Sequence, residues 1–222
     1  MIVFLLAAMS IWCLLAQMYG LCSMRRFTLF ILVPATVVLY GLAIADRQRG
    51  EGLLWRGVVI GTVAGLIAAA AYDVFRLPLV YARPWGIDGE VPAMPLYKVF
   101  PRFGAMILGQ PVEQDHYSMS AQILGWLYHF SNGATFGVMY VALVGEAARR
   151  HWLWAVAMAV GIETVMLLSP YAAFFSIPLT ATFVAVTLAA HTIFGVTMGL
   201  GARWFAQQWM LTYRWKNDSV PC

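Results

Sequence analysis

Charge is what this chain has least of. Only 11% of its 222 residues are Asp, Glu, Lys or Arg, against about 25% in an ordinary soluble domain. Hydrophobic residues make up 62%. A soluble globule of roughly 200 residues removes about 70–75% of its chain surface from water, too little to hide so much apolar area. This excludes a soluble enzyme and a disordered protein. Cysteine is scarce as well. Cys13, Cys22 and Cys222 are an odd set with no Cys-x-x-Cys pair, so neither a disulfide framework nor a thiolate metal site is expected. Enzyme signatures are missing: there is no phosphate loop, dinucleotide fingerprint, His-Glu-x-x-His or Gly-x-Ser-x-Gly. The reading leans away from catalysis.

What is present is a series of long apolar runs. A hydrocarbon core of about 30 Å needs about 20 apolar residues in a helix. Six runs meet that length: about 2–21, 27–45, 53–72, 121–145, 152–169 and 179–202. Backbone groups in lipid must bond internally, so these read as helices, and the fold class is an all-α integral membrane protein with six transmembrane helices. The first run lacks a basic start and a small-residue cleavage site, so it reads as a retained helix and not a signal peptide.

The formal charge of +4 comes from basic residues at the ends of these runs. That position excludes nucleic acid as a partner and makes the lipid bilayer the first one. Arg47, Arg49, Arg56, Arg149, Arg150, Arg203, Arg214 and Lys216 fall on one side. Arg25 and Arg26 fall on the other, with Arg76, Arg83, Lys98 and Arg102 in a long loop. Long loops count less, so both termini are expected to be cytoplasmic and the loop extracytoplasmic. Trp152 and Trp154 mark the cytoplasmic interface. So does the aromatic tail with Trp204, Phe205, Trp209, Tyr213 and Trp215.

Three regions follow: a peripheral hairpin (1–50), a membrane core (51–205) and an interfacial tail (206–222). Residues 77–120 form the loop within the core. They hold Pro78, Pro84, Pro92, Pro95, Pro101 and Pro111, so a continuous helix is not expected there. The aromatic residues of this loop make it an ordered cap or lid.

Small residues mark where membrane helices meet, because lipid supplies no hydrophobic force between them. Gly57, Gly61, Gly65 and Ala69 lie four apart in the third helix. Gly133 and Gly137 lie in the fourth, Ala155 with Ala159 and Ala157 with Gly161 in the fifth, Gly195 and Gly199 in the sixth. Helices 3–6 are therefore expected to form a tight four-helix core with helices 1 and 2 outside. Helices 4 and 6 also share a pattern, His129-x3-Gly133-x3-Gly137 and His191-x3-Gly195-x3-Gly199. The spacing suggests two copies of one hairpin running in the same direction.

The stretches Tyr128–Tyr140 and Ala190–Gly199, with Arg56-Gly57 through Arg76, resemble a family of small bacterial multi-pass inner-membrane proteins with paired His-x3-Gly-x3-Gly helices. The resemblance covers about residues 53–205 and implies an architecture and a bacterial inner-membrane location. It implies no chemistry, since that family has no assigned activity.

Ionisable residues inside a bilayer are costly and each needs a reason. Asp73, His129, Glu163 and His191 are spread one per core helix. At about 1.5 Å per residue they lie in the half of the bundle nearest the long loop. Asn132, Ser131, Thr164, Thr187 and Thr192 are near enough in sequence to supply hydrogen bonds. Two histidines suit a b-type haem. With both carboxylates they suit a transition metal. A carboxylate–histidine chain also suits a proton path, and a structural network would pair Asp73 with Arg76. Three functions stay open. One is a non-catalytic accessory subunit packed against other membrane subunits of a respiratory or photosynthetic complex. The others are a haem- or metal-binding membrane protein, and a small proton, ion or solute transporter.

Overall fold

The computed structural model describes residues 1–50 and 52–218, with side chains as far as residue 211. Cys222 and the side chains of Tyr213, Arg214, Trp215 and Lys216 lie outside the described residues. Every described element is helical: α1 (Ile2–Met18), α2 (Met24–Gln48), α3 (Leu53–Val80), α4 (Val99–Leu108), α5 (Met119–Val144), α6 (Leu153–Leu168), α7 (Tyr171–Phe174) and α8 (Ala181–Asp218). The segment Thr28–Leu32 widens α2 into a π turn.

Local chemistry sets the ends. Gly52, Gly109 and Gly145 take positive φ between or after helices, where a side chain would be strained. The Ser118 hydroxyl accepts the Ala121 N–H at 3.2 Å and starts α5. Three helices, α2, α3 and the stretch Ala181–Leu211 of α8, are long and apolar enough to cross a membrane. The apolar α1 and α6, at roughly 25 Å, fall a little short of a core of about 30 Å. α5 has the length, 26 residues, but carries Gln122, His129, Ser131 and Asn132.

Three features differ from the sequence expectation. α3 does not stop at Tyr72 but runs to Val80, past Pro78. Pro78 removes one intrahelical bond, and so near the end only two residues follow it in the helix for a kink to redirect. Asp73 and Arg76 are therefore held on a helix. The 77–120 stretch also contains α4, which lies along α5. Cβ atoms at Gly104 and Gly125 would strike the carbonyl oxygens of Ala121 and Phe100. Finally, α8 continues unbroken through the stretch read as a tail, and Phe205 and Trp209 pack on the core near Ala202 and Ala206.

α3 is the hub. Gly61 and Gly65 cross Gly133 and Gly137 of α5 so closely that a Cβ at Gly61 would lie 2.6 Å from the Val138 Cα. Ala64 and Ala68, fully buried, turn toward the side where Gly201 of α8 approaches. α8 in turn meets α6, where a Cβ at Gly195 would lie 2.5 Å from the Val156 Cα and one at Gly199 2.9 Å from the Ala155 Cβ. α5 barely touches α6 or α8. The expected tight four-helix core is thus an open row, α6–α8–α3–α5, with a space on one side. Nor does α1 lie outside it. Ala7, Ser10 and Cys13 are fully buried, the Ser10 and Thr135 hydroxyls are 2.8 Å apart, and the Tyr128 hydroxyl donates to the Ser10 carbonyl at 2.6 Å. α2 is the more peripheral helix, resting on α3 and α1.

Candidate functional site: two carboxylate–histidine dyads on one cavity

Each histidine is the eleventh residue of its helix, at the end nearest the long loop. Each faces a carboxylate on the helix its own glycines pack against. His129 Nε2 lies 2.8 Å from Asp73 Oδ2 of α3. His191 Nε2 lies 3.3 Å from Glu163 Oε2 of α6. The register matches between the pairs: Asp73, Ala69 and Gly65 lie four apart going down α3, as Glu163, Ala159 and Ala155 do down α6. The α3–α5 and α6–α8 pairs thus share the same register of carboxylate, histidine and small residues.

The hydrogen-bond chemistry of the dyads differs. The Thr187 carbonyl, 2.9 Å from His191 Nδ1, can only accept, so Nδ1 carries a proton. The Nε2–Glu163 contact must then hold one further proton, on either the ring or the carboxyl. The Thr187 hydroxyl donates to the other Glu163 oxygen at 2.8 Å. In the first dyad Asp73 also faces Arg76, Oδ1 to Nη1 3.7 Å, with both residues at most 8% exposed. The Arg76 guanidinium sits 4.5, 5.2 and 5.6 Å from the rings of Tyr72, Tyr97 and Phe100. It donates to the Leu96 carbonyl at 2.6 Å, which ties the loop to α3. The Tyr97 hydroxyl donates to the Asp73 carbonyl at 2.6 Å. Burial and nearby Asp73 push this hydroxyl up to about 12, so it stays a donor at any physiological pH.

Between the two pairs lies a cavity of about 570 Å³. His129, His191, Glu163, Arg76 and Asn132 are on its wall, with Tyr72 between the imidazoles, its ring centre 5.9 and 5.0 Å from theirs. Asp73 stands behind His129 and Arg76. Phe136, Phe194 and Met166 make much of the rest apolar. Lys98 and Arg102 lie on the loop side, where Arg102 donates to the Phe175 carbonyl at 2.6 Å and pairs with Glu113 at 2.8 Å. The Asn132 side-chain oxygen is buried and has no hydrogen-bond partner among the described residues.

Of the residues expected to supply hydrogen bonds, Thr187 and Asn132 reach this cavity. Ser131, Thr164 and Thr192 bond carbonyls of their own helices and face outward. Tyr72 does not stand out in the sequence, because an aromatic in an apolar run reads as lipid-facing. Its only signal is its place next to Asp73 and four before Arg76. Neither histidine leaves its Nε2 free, so axial haem ligation by both would need both dyads broken. Among the described residues no three His, Cys, Asp or Glu side chains converge as a metal ion requires. Comparison with family models, curated proteins and solved structures returns no match.

Proposed function

We propose that the protein binds a small, mostly apolar molecule with a hydrogen-bonding head in this cavity, the dyads and Asn132 being the contacts of the head. The observation that carries the reading is the convergence of two register-matched carboxylate–histidine dyads on one cavity at the junction of the duplicated pairs. A passive accessory subunit needs neither the cavity nor buried charge on its wall. The exposed apolar faces of α2 are what lipid contact requires, so they do not call for partner subunits. Duplicated pairs running in the same direction, with a site between them, favour transport as the use made of binding.

Native mass spectrometry of protein extracted in mild detergent tests this. Wild type is expected to carry a non-lipid adduct of a few hundred daltons that His191→Ala and Asn132→Leu lose. Wild type carrying only bulk lipid overturns the proposal.

In the same reading six helices cross a bacterial inner membrane with both termini cytoplasmic. In a background without the native cysteines, Glu90→Cys is expected to react with an impermeant maleimide in intact cells. Arg49→Cys is expected to react only after permeabilisation. The reverse pattern places the long loop in the cytoplasm.

A further inference from the structure

A second cavity, of about 580 Å³, lies apart from the dyads where the end of α1, the start of α2 and the end of α4 meet. Its wall carries Arg25 and Arg26. Neither guanidinium has a hydrogen-bond or ion-pair partner among the described residues. The backbone that presents them is fixed, although both side chains are exposed. The Gln17 side chain accepts the Met24 N–H at 2.6 Å, and the Ser23 hydroxyl accepts the Arg26 N–H at 3.4 Å. Arg25 lies across Gly109, where a Cβ would stand 3.2 Å from its Cδ. The Gln110 side-chain oxygen, on the same wall, is buried without a hydrogen-bond partner among the described residues. Leu29 and Phe30, 56% and 75% exposed, continue from the arginines along α2.

Each part has its complement in one kind of molecule. Two adjacent guanidiniums without a carboxylate match the oxygens of a phosphate, which arginine grips in bidentate fashion. The Gln110 oxygen wants a donor, which a hydroxyl-bearing head supplies. Bare Leu29 and Phe30 want hydrocarbon. Arg25 and Arg26 also lie at the opposite end of α2 from Arg47 and Arg49, against the charge bias that orients the chain, and a phosphate there would offset that bias. We infer that this cavity is a binding site for an anionic glycerophospholipid with a hydroxylated head, the phosphate held by Arg25 and Arg26 and an acyl chain lying on Leu29 and Phe30.

The test is lipid retention by the full chain in detergent, read by native mass spectrometry during titration with phosphatidylglycerol, with phosphatidylcholine and with inorganic phosphate. Wild type is expected to hold one phosphatidylglycerol in clear preference to phosphatidylcholine. Removing two cations in Arg25→Gln/Arg26→Gln is expected to weaken that binding about thirtyfold. The lysine pair, Arg25→Lys/Arg26→Lys, keeps the charge and is expected to bind at intermediate strength. Size-exclusion elution confirms that both variants are folded. Equal retention of the two lipids by wild type, or an unchanged preference in the glutamine variant, overturns the inference. So does binding of inorganic phosphate as tight as that of the lipid, which would make this a site for free phosphate.

Discussion

Gly65→Ala and Gly137→Ala are each expected to lower stability by about 3 kcal/mol, the upper end of what an inserted methyl costs in a packed interior. At Gly65 the new methyl would meet the Gly133 carbonyl oxygen, and at Gly137 the Gly61 carbonyl oxygen. The obstacle is backbone on a facing helix, with no side chain to swing aside, so α3 and α5 must part along their crossing. Helix propensity acts in the other direction, since alanine gains about 1 kcal/mol over glycine in a helix interior. The clash outweighs that gain. Gly161→Ala and Gly41→Ala isolate the effect of propensity, because nothing lies within 4 Å of a Cβ at either site. They are expected to equal or exceed wild type. Gly57→Ala, whose nearest contact is an ordinary 3.5 Å to Val141, is also expected to be tolerated. Thermal unfolding in one detergent, followed by tryptophan fluorescence, ranks the series. A Gly137→Ala protein as stable as wild type would mean that the helices do not cross so closely.

The glycine ladders were readable because their spacing of four puts them on one helix face. Which helix each ladder would meet was not. Gly195 and Gly199 meet α6, and Gly133 and Gly137 meet α3, so the shared pattern describes two junctions and not a single central one. Gly161 and Ala157 have ladder spacing but point outward, because Ala155 and Ala159 take the interface. The burial of α1 was hidden because its contact uses Ala7, Ser10 and Cys13. These are small residues, but a search weighted toward glycine passes over them. One ionisable residue per core helix was visible in the chain as written. Their assortment into Asp73–His129 and Glu163–His191 depends on helix order in space, which a single sequence does not carry. The extension of α3 past Pro78 was hidden for a related reason: Arg76 reaches Leu96 and Tyr97 reaches Asp73, and these long-range contacts steady a turn that composition alone would end.

Asp73→Asn is expected to destabilise the protein by about 3 kcal/mol, whereas Glu163→Gln costs no more than about 1 kcal/mol. The two carboxylates look equivalent in the duplicated pattern, but their surroundings differ. Asp73 is the acid beside a permanent cation: Arg76 is 5% exposed and cannot shed its charge. Removing the carboxylate charge leaves that cation buried. The three aromatic rings and the Leu96 carbonyl offset part of the cost, and cation–π contact in such a desolvated place contributes about 2 kcal/mol. All of that attraction is already present in wild type, however, so none of it replaces what Asp73 supplied. Glu163 bonds His191 and Thr187 and has no cation paired with it among the described residues, and a neutral imidazole with an amide leaves no stranded charge. A double variant, Asp73→Asn/Arg76→Met, removes the cation together with the carboxylate charge and is expected to recover much of the loss, since breaking a buried pair costs chiefly through the charge left without its partner. Thermal unfolding of the four proteins decides the matter. If Glu163→Gln falls as far as Asp73→Asn, or the double variant recovers nothing, the asymmetry does not come from Arg76.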